Sequence, residues 1–212
     1  MKGRLAGMLL VATVSLACSE RTLTRERAAS MIAGLEQFKR EAYFSIQTGV
    51  PLQTAFKCLD QAEIARAPLV SFGVERGWVR FESRETVLGF RTKATCPSLA
   101  LTESGAEAST RWTRQRGESS QGVTWAVPIA RRGAINVTKL TTAPDGSTQV
   151  EFDWKWTPND TGKAIRKSIP QADAFFDTVR KGRASCRRLN DQWQCQLGMW
   201  TTPADALGEF RL

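Results

Sequence analysis

Two cysteines near the C-terminus restrict the fold of this chain more than any other pair of residues. Cys186 and Cys195 bracket Asn190-Asp191, a dipeptide suited to a two-residue hairpin turn. With the turn placed there, Leu189 faces Gln192, Arg188 faces Trp193, Arg187 faces Gln194 and Cys186 faces Cys195. Directly opposed residues of an antiparallel pair lie within disulfide range. The same register puts Cys186, Arg188, Trp193 and Cys195 on one face, with Arg183, Ser185, Arg187 and Gln194 on the other.

Upstream, the apolar residues keep the same period of two. Val123, Trp125, Val127 and Ile129 alternate with Thr124, Ala126 and Pro128. Ile135 and Val137 follow, and Ala143-Pro144-Asp145-Gly146 supplies a turn. Val150, Phe152, Trp154 and Trp156 then alternate with Glu151, Asp153 and Lys155. One apolar face per strand implies an antiparallel sheet buried on one side, with Pro128 marking an edge or a bulge. A short basic helix is expected near Thr161 to Ser168, after Pro158-Asn159-Asp160. The aromatic row of Phe152, Trp154 and Trp156 reads as sheet core. Trp78, Trp112 and Trp125 also read as structural, while Trp200, in the loop-like stretch Gly198 to Pro203, is the indole expected to be exposed.

The first half is helical at its start. Thr24 is a helix N-cap candidate, and Ala28, Ile32, Leu35, Phe38 and Ala42 recur at helical spacing, predicting a helix from Arg25 to Arg40. Further on, the pattern predicts a short helix over Leu59 to Ala67 ending at Pro68, strands over Trp78 to Glu82 and Thr86 to Thr92, and a helix over Glu103 to Trp112. This order is loosely similar to a winged helix. The DNA binding that such a resemblance implies conflicts with the export signal described next, so no nucleic-acid partner is expected. Residues 114–122 carry no apolar side chain and read as an exposed linker.

The N-terminus reads as an address. Lys2 and Arg4 precede an apolar run from Leu5 to Leu16, a length suited to a signal-peptide core and too short to span a bilayer. Ser15 and Ala17 stand three and one positions before Cys18, the small-residue spacing of a cleavage site. Ser15-Leu16-Ala17-Cys18 resembles the lipobox of bacterial lipoproteins, with the usual places of leucine and the small residue exchanged. The resemblance implies that Cys18 is lipidated and becomes the mature N-terminus. Ordinary cleavage after Ala17 and retention of residues 1–17 as an anchor are the alternatives. The chain has five cysteines, and an odd number in an exported protein needs an explanation. A lipid on Cys18 leaves an even set: Cys186 with Cys195 by register, and Cys58 with Cys96 by elimination. Disulfides suit the oxidising compartment that the signal implies.

Composition removes several reaction classes. There is no histidine, which excludes Ser-His-acid triads, Cys-His pairs and the familiar catalytic zinc sites. No phosphate-loop, Gly-x-Ser-x-Gly or Ser-x-x-Lys motif occurs. No Cys-x-x-Cys spacing suggests a metal, and neither metal nor cofactor is expected. Glu151 and Asp153 form a carboxylate pair of the kind hydrolases use, and equally an ordinary solvated strand face. The charge is basic, 30 minus 21 or +9; loss of Lys2 and Arg4 leaves +7 on a mature chain of 212 minus 17, or 195, residues. Lys163, Arg166, Lys167, Arg180, Lys181, Arg183, Arg187 and Arg188, opposed only by Asp173 and Asp177, account for +6 of it. Such a stretch attracts anions, and is also what keeps many proteins soluble.

The sequence therefore predicts an α+β protein: an N-terminal helix and small mixed helix/ribbon segment, then an antiparallel β-meander with a disulfide-linked C-terminal hairpin. The expected division is a signal peptide at 1–17, a lipid anchor and tether at 18–24, a mixed segment at 25–113, a β segment at 123–198 and a tail at 199–212. The expected role is that of an exported bacterial envelope protein, held on the periplasmic or outer side of a membrane through its N-terminal lipid. That role is non-enzymatic, with anionic lipid, lipopolysaccharide or an acidic envelope polymer as the candidate partner. A carboxylate-dependent hydrolase or transferase acting on envelope polymer is the alternative.

Overall fold

The computed structural model describes residues 22–115, 122–198 and 208–210. The signal segment, Cys18, residues 116–121 of the polar linker and Trp200 lie outside them. Among the described residues no helix is long and apolar enough to cross a membrane.

Thr24 caps the first helix, its hydroxyl accepting from the Arg27 amide at 3.2 Å. The helix expected over Arg25 to Arg40 divides in two, α1 (Arg25–Gly34) and α2 (Glu36–Lys39), because Leu35 adopts an extended conformation at φ −69°, ψ 135°. Gly34 weakens the end of α1, and the break lets Phe38 become buried. Strand β1 (Ala42–Thr48) follows, then α3 (Gln61–Arg66), capped by Asp60. Pro68, expected as a terminator, instead opens α4 (Pro68–Glu75) at its first turn, where the missing N–H would have had no partner.

The two strands expected within Trp78 to Thr92 are one, β2 (Val79–Leu88), which turns at Gly89–Arg91 and returns as β3 (Thr92–Leu101). Ser83, Arg84 and Glu85 interrupt the apolar pattern without interrupting the ladder, in which they pair with Pro97, Cys96 and Thr95. Helix α5 (Glu103–Ser109), capped by Thr102, is shorter than expected, and Thr113 begins β4 (Thr113–Gln115). The second half contributes β5 (Val123–Arg132), β6 (Asn136–Thr142), β7 (Thr148–Trp154), β8 (Trp156–Pro158), α6 (Asp160–Ser168), α7 (Ala172–Asp177), β9 (Arg180–Leu189) and β10 (Gln192–Leu197).

Among the described residues these strands form three antiparallel sheets. β5 is central to one, flanked by β1 on one edge and by β4 and β8 on the other; β10-β9-β7-β6 is the second; β2-β3 is a separate ribbon. β1 of the N-terminal segment thus pairs with β5 of the C-terminal one, and a bulge opposite Ala42/Tyr43 falls beside Pro128, where a bulge or edge was expected. The chain end returns to the same place: the Phe210 amide donates to the Tyr43 carbonyl at 2.7 Å, and Phe210 is buried.

The alternating run Val150 to Trp156 is not one strand. At Lys155 the chain leaves the second sheet and joins the first, so Trp154 and Trp156 belong to different sheets and meet edge to face at 4.9 Å. Both indoles are buried, as the core reading requires. The hairpin at Asn190-Asp191 has the expected register, both turn residues having positive φ, and Cys186 is bonded to Cys195. Cys58 is bonded to Cys96, which fixes the 51–58 loop to the ribbon. On the inner face of the second sheet, Gly182 stands opposite Phe152, whose ring occupies the space where a Cβ would be.

Arg132 closes the core where these pieces meet. It is 7% exposed. Its Nη1 donates to the carbonyls of Gln37 at 2.8 Å and of Phe38 and Arg40 at 3.3 Å. Its guanidinium carbon lies 4.9 to 5.7 Å from the ring centroids of Trp156, Trp154 and Phe38. The cation satisfies the carbonyls at the end of α2, which the helix itself leaves open, and its faces lie on aromatic rings. Arg132→Ala is therefore expected to lower the unfolding free energy by about 3 kcal/mol, measured by urea denaturation. A loss below about 1 kcal/mol would show that water replaces the guanidinium there.

Candidate functional site

The expected basic patch divides by face. Along β9 the even positions point inward and the odd ones outward. Arg180 faces inward; its Nη1 donates to the Phe175 carbonyl at 2.9 Å, and its guanidinium lies over Trp154 and Phe175. Arg188 is also on the inner face and pairs with Asp191 at 2.9 Å. Lys181, Arg183 and Arg187 are exposed on the outer face. On α6, Arg166 is held by Asp173 at 2.6 Å and Asp177 at 2.5 Å, and Lys163 by Asp160 at 3.0 Å; Lys167 is exposed. The hydrogen bond that Arg166 donates to Asp173 is the main cause of a raised Arg166 pKa.

Carboxylates distant in sequence meet the outer row on β9. Arg183 stands opposite Glu151 in register, at 3.9 Å, and Lys181 stands opposite Asp153. Arg187 donates to Asp145 Oδ2 at 2.5 Å. Glu151 and Asp153, the carboxylate pair considered for catalysis, are thus placed beside cations on an open sheet face. Asp145 also accepts from the Ser147 hydroxyl at 2.6 Å and from the Ser147 amide at 3.0 Å. These Ser147 bonds first, and Arg187 after them, hold its pKa down at about 2. Among the described residues no three side chains of metal-ligating type converge.

A different place combines unpaired cations with aromatic surface. An open cleft of about 350 Å³ runs between the ends of α4 and α5 and the start of α6, lined by Arg76, Trp78, Arg111, Trp112 and Asp160 among others. Trp78 and Trp112 meet edge to face at 5.2 Å, and Trp112 meets Trp125 at 6.3 Å. Trp125 is fixed from behind by its Nε1, which donates to Thr48 Oγ1 at 3.0 Å. Arg76 ends α4 with its guanidinium 5.5 Å from the Phe72 ring, and Arg111 follows α5. Both arginines are exposed, and among the described residues neither forms an ion pair. The acidic group on the rim, Asp160, is already bonded to Lys163. Asn159 builds the wall: its Nδ2 donates to the Pro128 carbonyl and its Oδ1 accepts from the Gly162 amide.

The three indoles were read from sequence as structural, and the two arginines were not singled out. The available signal was local: Arg76 stands two residues before Trp78, and Arg111 directly before Trp112, each just past the end of a short helix. Half-buried indoles with guanidinium groups on the rim suit a ligand having a flat apolar face and an anionic substituent. No family model, no curated protein and no solved structure matches this chain.

The Asp145 geometry has a measurable consequence. Its depressed pKa contributes stability that is present above the ordinary aspartate pKa near 3.8 and is lost as pH falls toward about 2. Ser147→Ala is expected to raise the Asp145 midpoint more than Arg187→Gln does, in a carboxylate NMR titration. The reverse order would mean that the guanidinium, not the turn, holds the charge.

Proposed function

We propose that the chain is an exported, lipid-anchored protein of a bacterial envelope, with Cys18 as the lipid site, and that it binds an anionic envelope component without transforming it. Three features support export. The N-terminal segment has the form of a signal peptide, the odd cysteine falls at its end, and the other four form two disulfides.

The observation that carries the binding role is the cleft, where Arg76 and Arg111 remain without carboxylate partners beside Trp78 and Trp112. An acidic glycan has the matching chemistry: its ring face stacks on an indole and its carboxylate or phosphate takes the guanidinium groups. Lys181, Arg183 and Arg187 offer a second cationic surface, but an anion there competes with Asp145, Glu151 and Asp153 for the same cations.

Mass spectrometry of the mature protein is expected to show a chain that starts at Cys18 and carries diacylglyceryl and acyl mass. A chain starting at Met1 would refute export processing, and an unmodified Cys18 would refute lipidation alone. For the ligand, calorimetry with uronic-acid and phosphorylated oligosaccharides is expected to lose roughly tenfold in affinity for Arg111→Gln and for Arg76→Gln, each lost charge-assisted contact being worth about 1.4 kcal/mol. The double change Arg183→Glu, Arg187→Glu is expected to have a smaller effect. Equal binding of neutral and acidic sugars would sink the cleft assignment, and a larger loss from the β9 pair would move the site to that strand.

A further inference from the structure

At the end of the β2-β3 ribbon two turns lie side by side, and each presents a phenylalanine to solvent. The ribbon turn carries Phe90, 97% exposed. The neighbouring loop carries Phe56, 72% exposed, and the two rings lie 6.4 Å apart. Val87, on the last turn-proximal stretch of β2, is 58% exposed. Exposed large apolar side chains scattered singly need no explanation, but a cluster at one extremity does.

The arrangement is built rather than loose. The 51–59 loop is a small hairpin of its own: the Thr54 amide donates to the Lys57 carbonyl at 2.9 Å and the Leu59 amide to the Leu52 carbonyl at 2.9 Å. It is joined to β3 by the hydrogen bond that the Leu52 amide donates to the Pro97 carbonyl and by the Cys58–Cys96 bridge. The Gly89 amide donates to the Ala55 carbonyl at 2.7 Å, which locks the two turns together. The Phe56 ring lies so close to Gly89 that a Cβ there would fall 2.8 Å from it.

Phe90 adopts φ 51° and Arg91 φ 63°. This is the left-handed region, which a bulky side chain rarely adopts and which Gly, Asn or Asp would occupy at lower cost. A phenylalanine there gains no burial within the chain. Around the rings stand Lys57, Arg91 and Lys93, all exposed, with Lys93 directly opposite Val87. The nearest acid along the ribbon, Glu85, lies about 10 Å back from Leu88, three residues at about 3.3 Å each.

We infer that this double-turn tip is a membrane contact, inserting Phe56 and Phe90 between the headgroups of an anionic bilayer while Lys57, Arg91 and Lys93 meet the lipid phosphates. Aromatic side chains favour the bilayer interface. Cations beside them add affinity for anionic lipid that falls with salt. The tip needs no lipid on Cys18, and neither the cleft nor its ligand enters the argument.

Photo-crosslinking tests this with the full chain in vesicles of phosphatidylcholine with and without phosphatidylglycerol. Benzoylphenylalanine is placed at position 56, at position 90, or at Thr141 on the exposed face of the second sheet. Phospholipid adducts are expected at 56 and 90 and not at 141. The double change Arg91→Gln, Lys93→Gln is expected to reduce the adduct at 90 by roughly tenfold in phosphatidylglycerol vesicles. Phe90→Asn, which fits the left-handed turn, is expected to leave the melting temperature of the protein unchanged or higher, marking the strain as unrelated to folding. Equal lipid adducts at 90 and 141, no lipid adduct at 90, or adducts to a protein when the chain is irradiated in intact envelopes would overturn the inference.

Discussion

The packing of this protein turns on a buried guanidinium. Arg132 ends β5, and its Nη1 reaches three carbonyls in the segment from α2 to β1. A cation is expensive to bury unless it is fully partnered. Here its partners include the backbone oxygens at Nη1 and the faces of Phe38, Trp154 and Trp156. Trp154 belongs to the second sheet and Trp156 to the first. The same side chain therefore fixes the end of α2, the entry to β1 and the junction of the two sheets. With β1 set against β5, the segments on either side of the polar linker share one sheet. The helices α4, α5 and α6 then surround the Trp78–Trp112 cleft.

Electrostatic pairing decides which cations remain available to a partner. The stretch Lys163 to Arg188 looks strongly positive along the chain because its opposing acids are elsewhere in sequence. Folding brings Asp145 to Arg187, Glu151 to Arg183 and Asp191 to Arg188. Exposed pairs of this kind contribute little to stability, yet they still compete with an incoming anion. Arg76 and Arg111 lie in a part of the sequence with unremarkable net charge, and in the fold they line a cleft with Trp78 and Trp112 whose acid, Asp160, is bonded to Lys163. A count of charges along a sequence thus points away from the two arginines on the cleft rim.

The C-terminal hairpin was legible because three independent constraints coincide there: the period of two, a dipeptide tolerant of positive φ, and a cysteine on each strand. The break at Lys155 was not legible. A strand that changes sheets while keeping both faces of its pattern has the same alternation as one that does not. Leu35 shows the same limit for helices, since its apolar spacing continues across an extended residue. The β2-β3 ribbon failed for the opposite reason: its middle is polar on both sides, yet the backbone ladder continues through Ser83 to Glu85. The cleft was missed because a half-buried indole and a core indole look alike in sequence. Phe56 and Phe90 were missed because nothing in a local pattern says that an aromatic residue will find no cover.

The two disulfides act on different kinds of structure. Cys186 is fully buried on the inner face of the second sheet, where the hairpin already has a ladder and core contacts to hold it. The 51–60 segment has no buried side chain among its residues, so apolar burial cannot hold it to the ribbon. Closing its 38-residue separation through Cys58–Cys96 removes unfolded-state entropy worth about 4 kcal/mol in the chain-entropy view. A small exposed element of this kind cannot build a core, and a covalent bond substitutes for one. Reduction of that bond would leave the two turns held by the Gly89–Ala55 and Leu52–Pro97 hydrogen bonds, while leaving the Arg132 junction untouched. The oxidised Cys58–Cys96 pair therefore favours the paired phenylalanines as a surface.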